Sequence, residues 1–138
     1  MDDTTDDCAS IFTRIEGDVV VVTFTGAIDV FAGPSVRDTL SGLISAGHRH
    51  LVLELEDVLF MDSSGLGALI GTMKKARDHH GSVRLVCSSE RSAGLLRITG
   101  LSGVIPVYET TERAAASVRS EISTADGCVG DRDTAQAG

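Results

Sequence analysis

Apolar positions along this chain follow two rhythms in turn. Ile11 to Ile15 and Val19 to Thr25 are rich in β-branched residues, and Glu16-Gly17-Asp18 between them reads as a turn. The two runs are expected to pair as a hairpin. Pro34 then suits the first turn of a helix in which Val36, Leu40, Leu43 and Ile44 recur at helical spacing before a stop at Gly47. Leu51, Leu53 and Leu55, with Val52 and Val58, mark a mostly buried third strand. A second helix opens at Met61-Asp62-Ser63-Ser64-Gly65. Its apolar stripe is Leu66, Leu69, Ile70, Met73 and Ala76, and Gly81 closes it. Val83, Leu85 and Val86 predict a fourth strand. Ser88-Ser89-Glu90 starts a third helix that runs to Gly100, and Val104 to Tyr108 predicts a short fifth strand. Thr110 or Thr111 caps a last helix that ends near Ile122.

The order ββαβαβαβα predicts an α/β domain: a mixed, mostly parallel sheet of four to five strands with about four helices and right-handed crossovers. In such sheets function gathers beyond the carboxyl ends of the strands. Here those ends are expected in two loops, Gly26 to Pro34 and Glu56 to Gly67. Residues 9–123 make the domain. Residues 1–8 and 124–138 are polar and without period, and are expected to be flexible tails that folding does not need.

Composition narrows the function classes. A length of 138 residues suits one domain, and with 4% aromatics and no Trp the core must be aliphatic. The longest uncharged runs, Ser63 to Met73 and Ile98 to Tyr108, reach 11 residues against the roughly 20 of a membrane-spanning helix. The acidic start lacks the apolar region of a signal peptide. Of the net charge of −8, residues 1–7 carry −4 and residues 124–138 carry −2, which leaves −2 for the middle. Without clustered Lys and Arg or aromatic platforms, nucleic acid is not an expected partner. The cysteines are Cys8, Cys87 and Cys128. Their odd number and the lack of a C-x-x-C pair exclude a disulfide framework and a zinc site, and no metal is expected. Cys87 reads as a small buried hydrophobe, a Cys8–Cys128 disulfide stays open, and the chain reads as cytoplasmic.

Phe60-Met61-Asp62-Ser63-Ser64-Gly65-Leu66-Gly67 is the most distinctive segment. Asp62 and Ser63 suit a helix N-terminus, where side-chain oxygens accept free backbone N–H groups. Capping alone would account for both. A helix N-terminus also tolerates anions, so a hydroxyl there can carry a phosphate. A hydrolytic role for Ser63 is not expected, because Met61 stands where a nucleophile elbow needs glycine and a base would have to be a His brought in from elsewhere in the chain. His48, His50, His79 and His80 fall at helix ends or strand starts, as ordinary surface histidines do. There is no P-loop. Gly65 to Gly71 reads G-x-G-x-x-x-G, an imperfect dinucleotide fingerprint that close helix–sheet packing also explains, and no cofactor is expected. Lys74, Lys75 and Arg77 read as a solvated face. Asp29 ends the second strand, either as a turn carboxylate or as a contact beside Ser63.

Gly26-Ala27-Ile28-Asp29, Leu51-Val52-Leu53-Glu54-Leu55, the Phe60 to Gly67 segment and Ile98-Thr99-Gly100-Leu101 together resemble the STAS domain of bacterial anti-anti-sigma factors, most like actinobacterial members. The resemblance spans about residues 10–122. It implies an anti-sigma factor antagonist, not an enzyme. The unphosphorylated domain would bind an anti-sigma factor that is also a serine kinase, and so free the sigma factor. The kinase would phosphorylate Ser63, the serine directly after Asp62, and a metal-dependent Ser/Thr phosphatase would reverse this. ATP and metal would belong to those partners. The implied partner-binding residues are Asp29, Asp62, Ser63, Ser64, Gly65 and Leu66. The other readings are a STAS subunit of another assembly, such as a stress-signalling scaffold or a lipid-transport complex, and a small nucleotide- or cofactor-binding protein. One departure stands out: Ala32 occupies the place where the family usually has Thr or Ser, and a lost hydroxyl cap costs roughly 1 kcal/mol.

Overall fold

The computed structural model describes residues 10–127, with side chains through residue 121. Cys8, Cys128 and the greater part of both expected tails lie outside the described residues. The elements are β1 (Ser10–Glu16), β2 (Val19–Ile28), α1 (Gly33–Ser45), β3 (His50–Met61), α2 (Ser63–Asp78), β4 (Ser82–Val86), α3 (Glu90–Thr99), β5 (Val107–Tyr108) and α4 (Thr111–Gly127), with a 3₁₀ turn at Leu101–Gly103. This is the expected order. The strands form one sheet in chain order, β1 antiparallel to β2 and every later pair parallel. Glu16 opposes Val19 across a two-residue turn, and Gly17 supplies its positive φ of 64°.

Right-handed crossovers between successive parallel neighbours carry α1, α2 and α3 to the same face. There Val20, Val22, Phe24, Leu51, Leu53, Leu55, Val83 and Leu85 meet Val36, Leu40, Leu69, Met73 and Leu96 in the main aliphatic core. Each such side chain, fully buried, contributes about 1.5–3 kcal/mol. The alternate residues Val19, Val21, Val52 and Val86 face the other way and pack under Ala114, Ala115 and Val118 of α4. That second core is thin, because alanines bury little area. A polar strip supplements it: the buried Arg84 donates to Ser117 (2.6 Å) and to Ser82 and pairs with Glu121 (3.2 Å), while Tyr108 bonds Ser117 (2.9 Å). His50 joins the strip through Ser82 (2.9 Å), so it is not the ordinary surface histidine the sequence suggests. Burial, and then the charge of Arg84, hold its pKa below the usual value.

Several boundaries differ from the sequence reading. Strand and helix together run through most of the two segments expected to be loops, leaving only residues 29–32 and Asp62 between strand and helix. The pairing survives because β3 takes up two extra residues in bulges, between Thr23/Thr25 and Gly26/Ala27 of β2. The fifth strand shrinks to Val107–Tyr108, because Val104 and Ile105 bond back to Leu101 and Pro106 lacks an N–H. Gly81 does not supply the positive φ that ends α2. His80 does, at φ 63°, in a Schellman arrangement with Gly81 N–H donating to Ala76 O (2.7 Å) and His80 N–H to Arg77 O (3.1 Å). Thr110 is the cap of α4, accepting from Arg113 N–H (3.1 Å), and α4 continues past Ile122 to the next glycine, Gly127. Residues 124–127 are therefore helical. Lys75 is not solvated: its Nζ bridges to Ser41 (2.5 Å) and Ser45 (2.8 Å), fastening α2 to α1.

Candidate functional site

The β2–α1 turn and the β3–α2 junction lie side by side at the carboxyl end of the sheet. Ile28 pairs with Met61, and Asp62 N–H donates to Ile28 O (3.3 Å). Asp62 is an N-cap in extended conformation, its Oδ1 accepting from Ser64 N–H (2.8 Å) and Gly65 N–H (3.3 Å). Ser63 is therefore the first helical residue, and it is exposed. Ser64 is half-buried against Gly33, where a Cβ would stand 3.1 Å from the Ser64 Cβ. Gly65 is buried so tightly that a Cβ would come within 2.6 Å of Ile28 O. It offers a partner no surface; its work is to let α2 approach the sheet. Leu66 is half-buried and packs on the core. The glycines from Gly65 to Gly71 lie inside α2, with Gly67 and Gly71 facing open space, so they form no phosphate-cradling loop before the helix.

Asp29 is half-buried and organises its own turn. Its Oδ1 accepts from Phe31 N–H (3.0 Å) and Ala32 N–H (3.1 Å), and its carbonyl accepts from Gly33 N–H (2.7 Å). Ala32, the N-cap of α1, has no side-chain bond to give. Asp29 and Pro34 thus shape an entry that a hydroxyl would otherwise cap. The carboxylate also fixes what the sequence reading missed. Val30 and Phe31 project from this turn, Phe31 with 88% of its surface exposed. Across from them Leu59 and Phe60 are exposed at the end of β3. Leu59 is the extra residue of the second bulge, since Val58 pairs with Gly26 and Phe60 with Ala27. Ser63 therefore stands beside an exposed apolar rim. The one signal in the sequence is an apolar pair, Val30-Phe31, inside a turn.

Behind the rim, α3 is tied to β3 by polar contacts. Glu56 accepts from Ser88 N–H (2.6 Å) and Ser89 N–H (3.0 Å), and Arg91 donates to Val58 O (3.0 Å) and Glu56 O (3.1 Å). Bonds from the Ser88 backbone and then from Ser89 hold the Glu56 carboxyl below its ordinary pKa. Such a group adds stability that is present above its unfolded pKa and is lost as pH falls through the lowered native value. Glu56→Gln is expected to flatten the acid limb of stability. Urea midpoints measured between about pH 5 and pH 3 check this, and parallel curves for the two proteins refute it. Nearby, burial pushes the Glu54 carboxyl up, but hydrogen bonds from Thr111 and Thr23 and the charge of Arg14 outweigh burial and hold it below the usual range. Cys87 is buried as expected, and burial raises its thiol pKa. Among the described residues no three His, Cys, Asp or Glu side chains come together to hold a metal ion, and no helix is long and apolar enough to cross a membrane.

Residues 10–114, nearly the whole of this fold, match the STAS domain family. The chain belongs to that family. This STAS domain is 39% identical over 93 residues to the anti-sigma-B factor antagonist of Bacillus subtilis (strain 168), a match covering 67% of this chain and 84% of that protein. Its fold superposes on the crystal structure of an anti-sigma factor antagonist from Mycobacterium paratuberculosis with a TM-score of 0.72 and 26% identity, over 83% of this chain and 97% of that one. The Bacillus cell-fate determinant SpoIIAA in its phosphorylated form is similar at a TM-score of 0.62 and 26% identity, over 80% of this chain and all (100%) of that chain.

Proposed function

We propose that this STAS domain is an anti-sigma factor antagonist, acting in the cytoplasm as binding partner and phosphorylation substrate rather than as an enzyme. The unphosphorylated domain binds an anti-sigma factor with serine kinase activity and releases its sigma factor. Phosphorylation of Ser63 ends the binding, and a metal-dependent Ser/Thr phosphatase restores it. The observation that carries this reading is an exposed serine at the first position of α2, set beside the uncovered side chains Val30, Phe31, Leu59 and Phe60. Large apolar groups in the open are what a docking surface needs, and a hydroxyl beside them is where an added charge does most harm to docking. Similarity to proteins named as anti-sigma factor antagonists, one of them known in a phosphorylated form, supports the same reading.

Within this surface Asp29, Asp62 and Ser64 act mainly by shaping the backbone that presents Phe31 and Ser63. Phe31→Ala is expected to leave the melting temperature within a few degrees of wild type and to weaken anti-sigma factor binding by about 30-fold or more, as loss of an aromatic anchor does. Calorimetric titration against the cognate kinase-type anti-sigma factor measures this. Unchanged affinity in Phe31→Ala, Leu59→Ala and Phe60→Ala would place docking elsewhere on the domain.

A further inference from the structure

The sheet has two edges, and they differ. β5 offers two residues behind a proline, too little to template another strand. β1 offers seven residues, Ser10–Glu16, without proline, lysine or bulge. Its apolar side chains Phe12 and Ile15 are 64% and 65% exposed. Its two charges neutralise each other, Arg14 Nε reaching Glu16 Oε2 at 2.6 Å. The usual guards of an edge strand are absent.

We infer that β1 is a pairing edge for a second copy of this chain, joined antiparallel about a two-fold axis at Thr13. The backbone permits it. The pair that flanks a two-residue turn, Glu16 and Val19, is hydrogen-bonded, so Arg14 and Phe12 also bond inward to β2. Ile11, Thr13 and Ile15 then turn their N–H and C=O groups outward. The side chains select the register. Centring on Arg14 sets two guanidinium groups opposite each other, and centring on Phe12 leaves Ile15 and Glu16 without counterparts. Centring on Thr13 uses all seven residues. Ile11 meets Ile15 of the second copy on the face that carries α1, where Ile11 already packs on the core. Phe12 meets Arg14 of the second copy on the opposite face, a cation–π pair. No like charges face one another. This self-complementarity favours a second copy over an unrelated peptide. β1 ends at the Ser10–Thr25 pair, three residues short of the carboxyl end of β2 at Ile28, so the pairing edge stops before the rim around Ser63.

A seven-residue pairing buries less than a stable interface needs, so the dimer is weak and depends on concentration. Sedimentation of the full chain from about 10 μM to 1 mM is expected to show mass rising toward the dimer. Backbone exchange at Ile11, Thr13 and Ile15 is expected to slow over the same range. Thr13→Pro removes an outward N–H and is expected to abolish association with the fold retained. Phe12→Lys opposes Arg14 of the second copy in two symmetric places and is expected to weaken the dimer about 2- to 30-fold, whereas Phe12→Glu, facing the same arginine, keeps it. If Thr13→Pro misfolds, the Phe12 pair decides alone. A strict monomer at 1 mM, a dimer indifferent to these substitutions, or a monomer whose β1 amides are already protected by another segment overturns the proposal.

Discussion

Ser63→Ala is expected to fold as wild type, to accept no phosphate and to bind the anti-sigma factor constitutively. Ser63→Asp is expected to fold equally well and to lose about 5- to 150-fold in affinity, on the order of 1–3 kcal/mol. The geometry sharpens why. A phosphate brings about −1.5 to −2 charges to this position. At a bare helix N-terminus, free N–H groups and the helix dipole would absorb part of that charge. Here the Asp62 carboxylate already holds the N–H groups of Ser64 and Gly65. The new anion therefore looks outward into water with a carboxylate beside it, and docking the apolar rim must strip that water away. Because Ser63 is exposed, the domain is expected to tolerate the modification and the complex is expected not to. Incubation with the cognate kinase and ATP, followed by peptide mapping and calorimetry, measures both halves. Phosphate mapped to Ser64, or Ser63→Ala still modified, would overturn the assignment.

The largest effect on stability is expected at the opposite end of the sheet. A Cβ on Gly81 would stand 2.0 Å from the Arg49 carbonyl oxygen. That oxygen cannot swing away freely, because it accepts from Ser82 N–H (2.8 Å) and Ser82 opens the pairing of β4 with His50. Gly81→Ala is therefore expected to cost about 3 kcal/mol and roughly 10 °C in melting temperature. Gly71→Ala is the control. Gly71 is exposed in mid-helix with nothing near its absent Cβ, so alanine there is expected to stabilise by about 0.5–1 kcal/mol. Because Gly81 and Ser63 lie at opposite ends of the sheet, the folded fraction of Gly81→Ala should bind the anti-sigma factor normally. Equal melting temperatures for Gly81→Ala and wild type would show that the β3–β4 approach relaxes at no cost.

Much of the frame was legible because its elements speak with one period each. Val36, Leu40 and Ile44 on α1 and the Leu69, Met73 and Ala76 stripe on α2 fall inside as their spacing requires. Ser89 and Gly100 bound α3 as the sequence proposes. What escaped reading depends on partners distant in the chain. The bulge that expels Leu59 exists only because β3 is longer than the part of β2 it pairs with. The burial of Arg84 rests on Ser117 and Glu121, and the bridge from Lys75 rests on α1. Asp29 and Asp62 were visible as caps or contacts. Only the geometry shows that both carboxylates are taken up by backbone N–H groups of their own turns, while Phe31 and Ser63 stay exposed.

The identity between strand order and chain order bears on how the molecule comes into being. Each strand pairs with the one made just before it, so the sheet is assembled from neighbours in time as well as in space. Loop closures stay short, which favours rapid folding. One step breaks that locality. Val19 and Val21, among the first residues to enter the sheet, are not covered until Ala114, Ala115 and Val118 have been synthesised. Throughout translation one valine face waits in the open. A chain arrested before α4 would be a nearly complete sheet with Val19, Val21, Val52 and Val86 bare, a form open to aggregation while it waits.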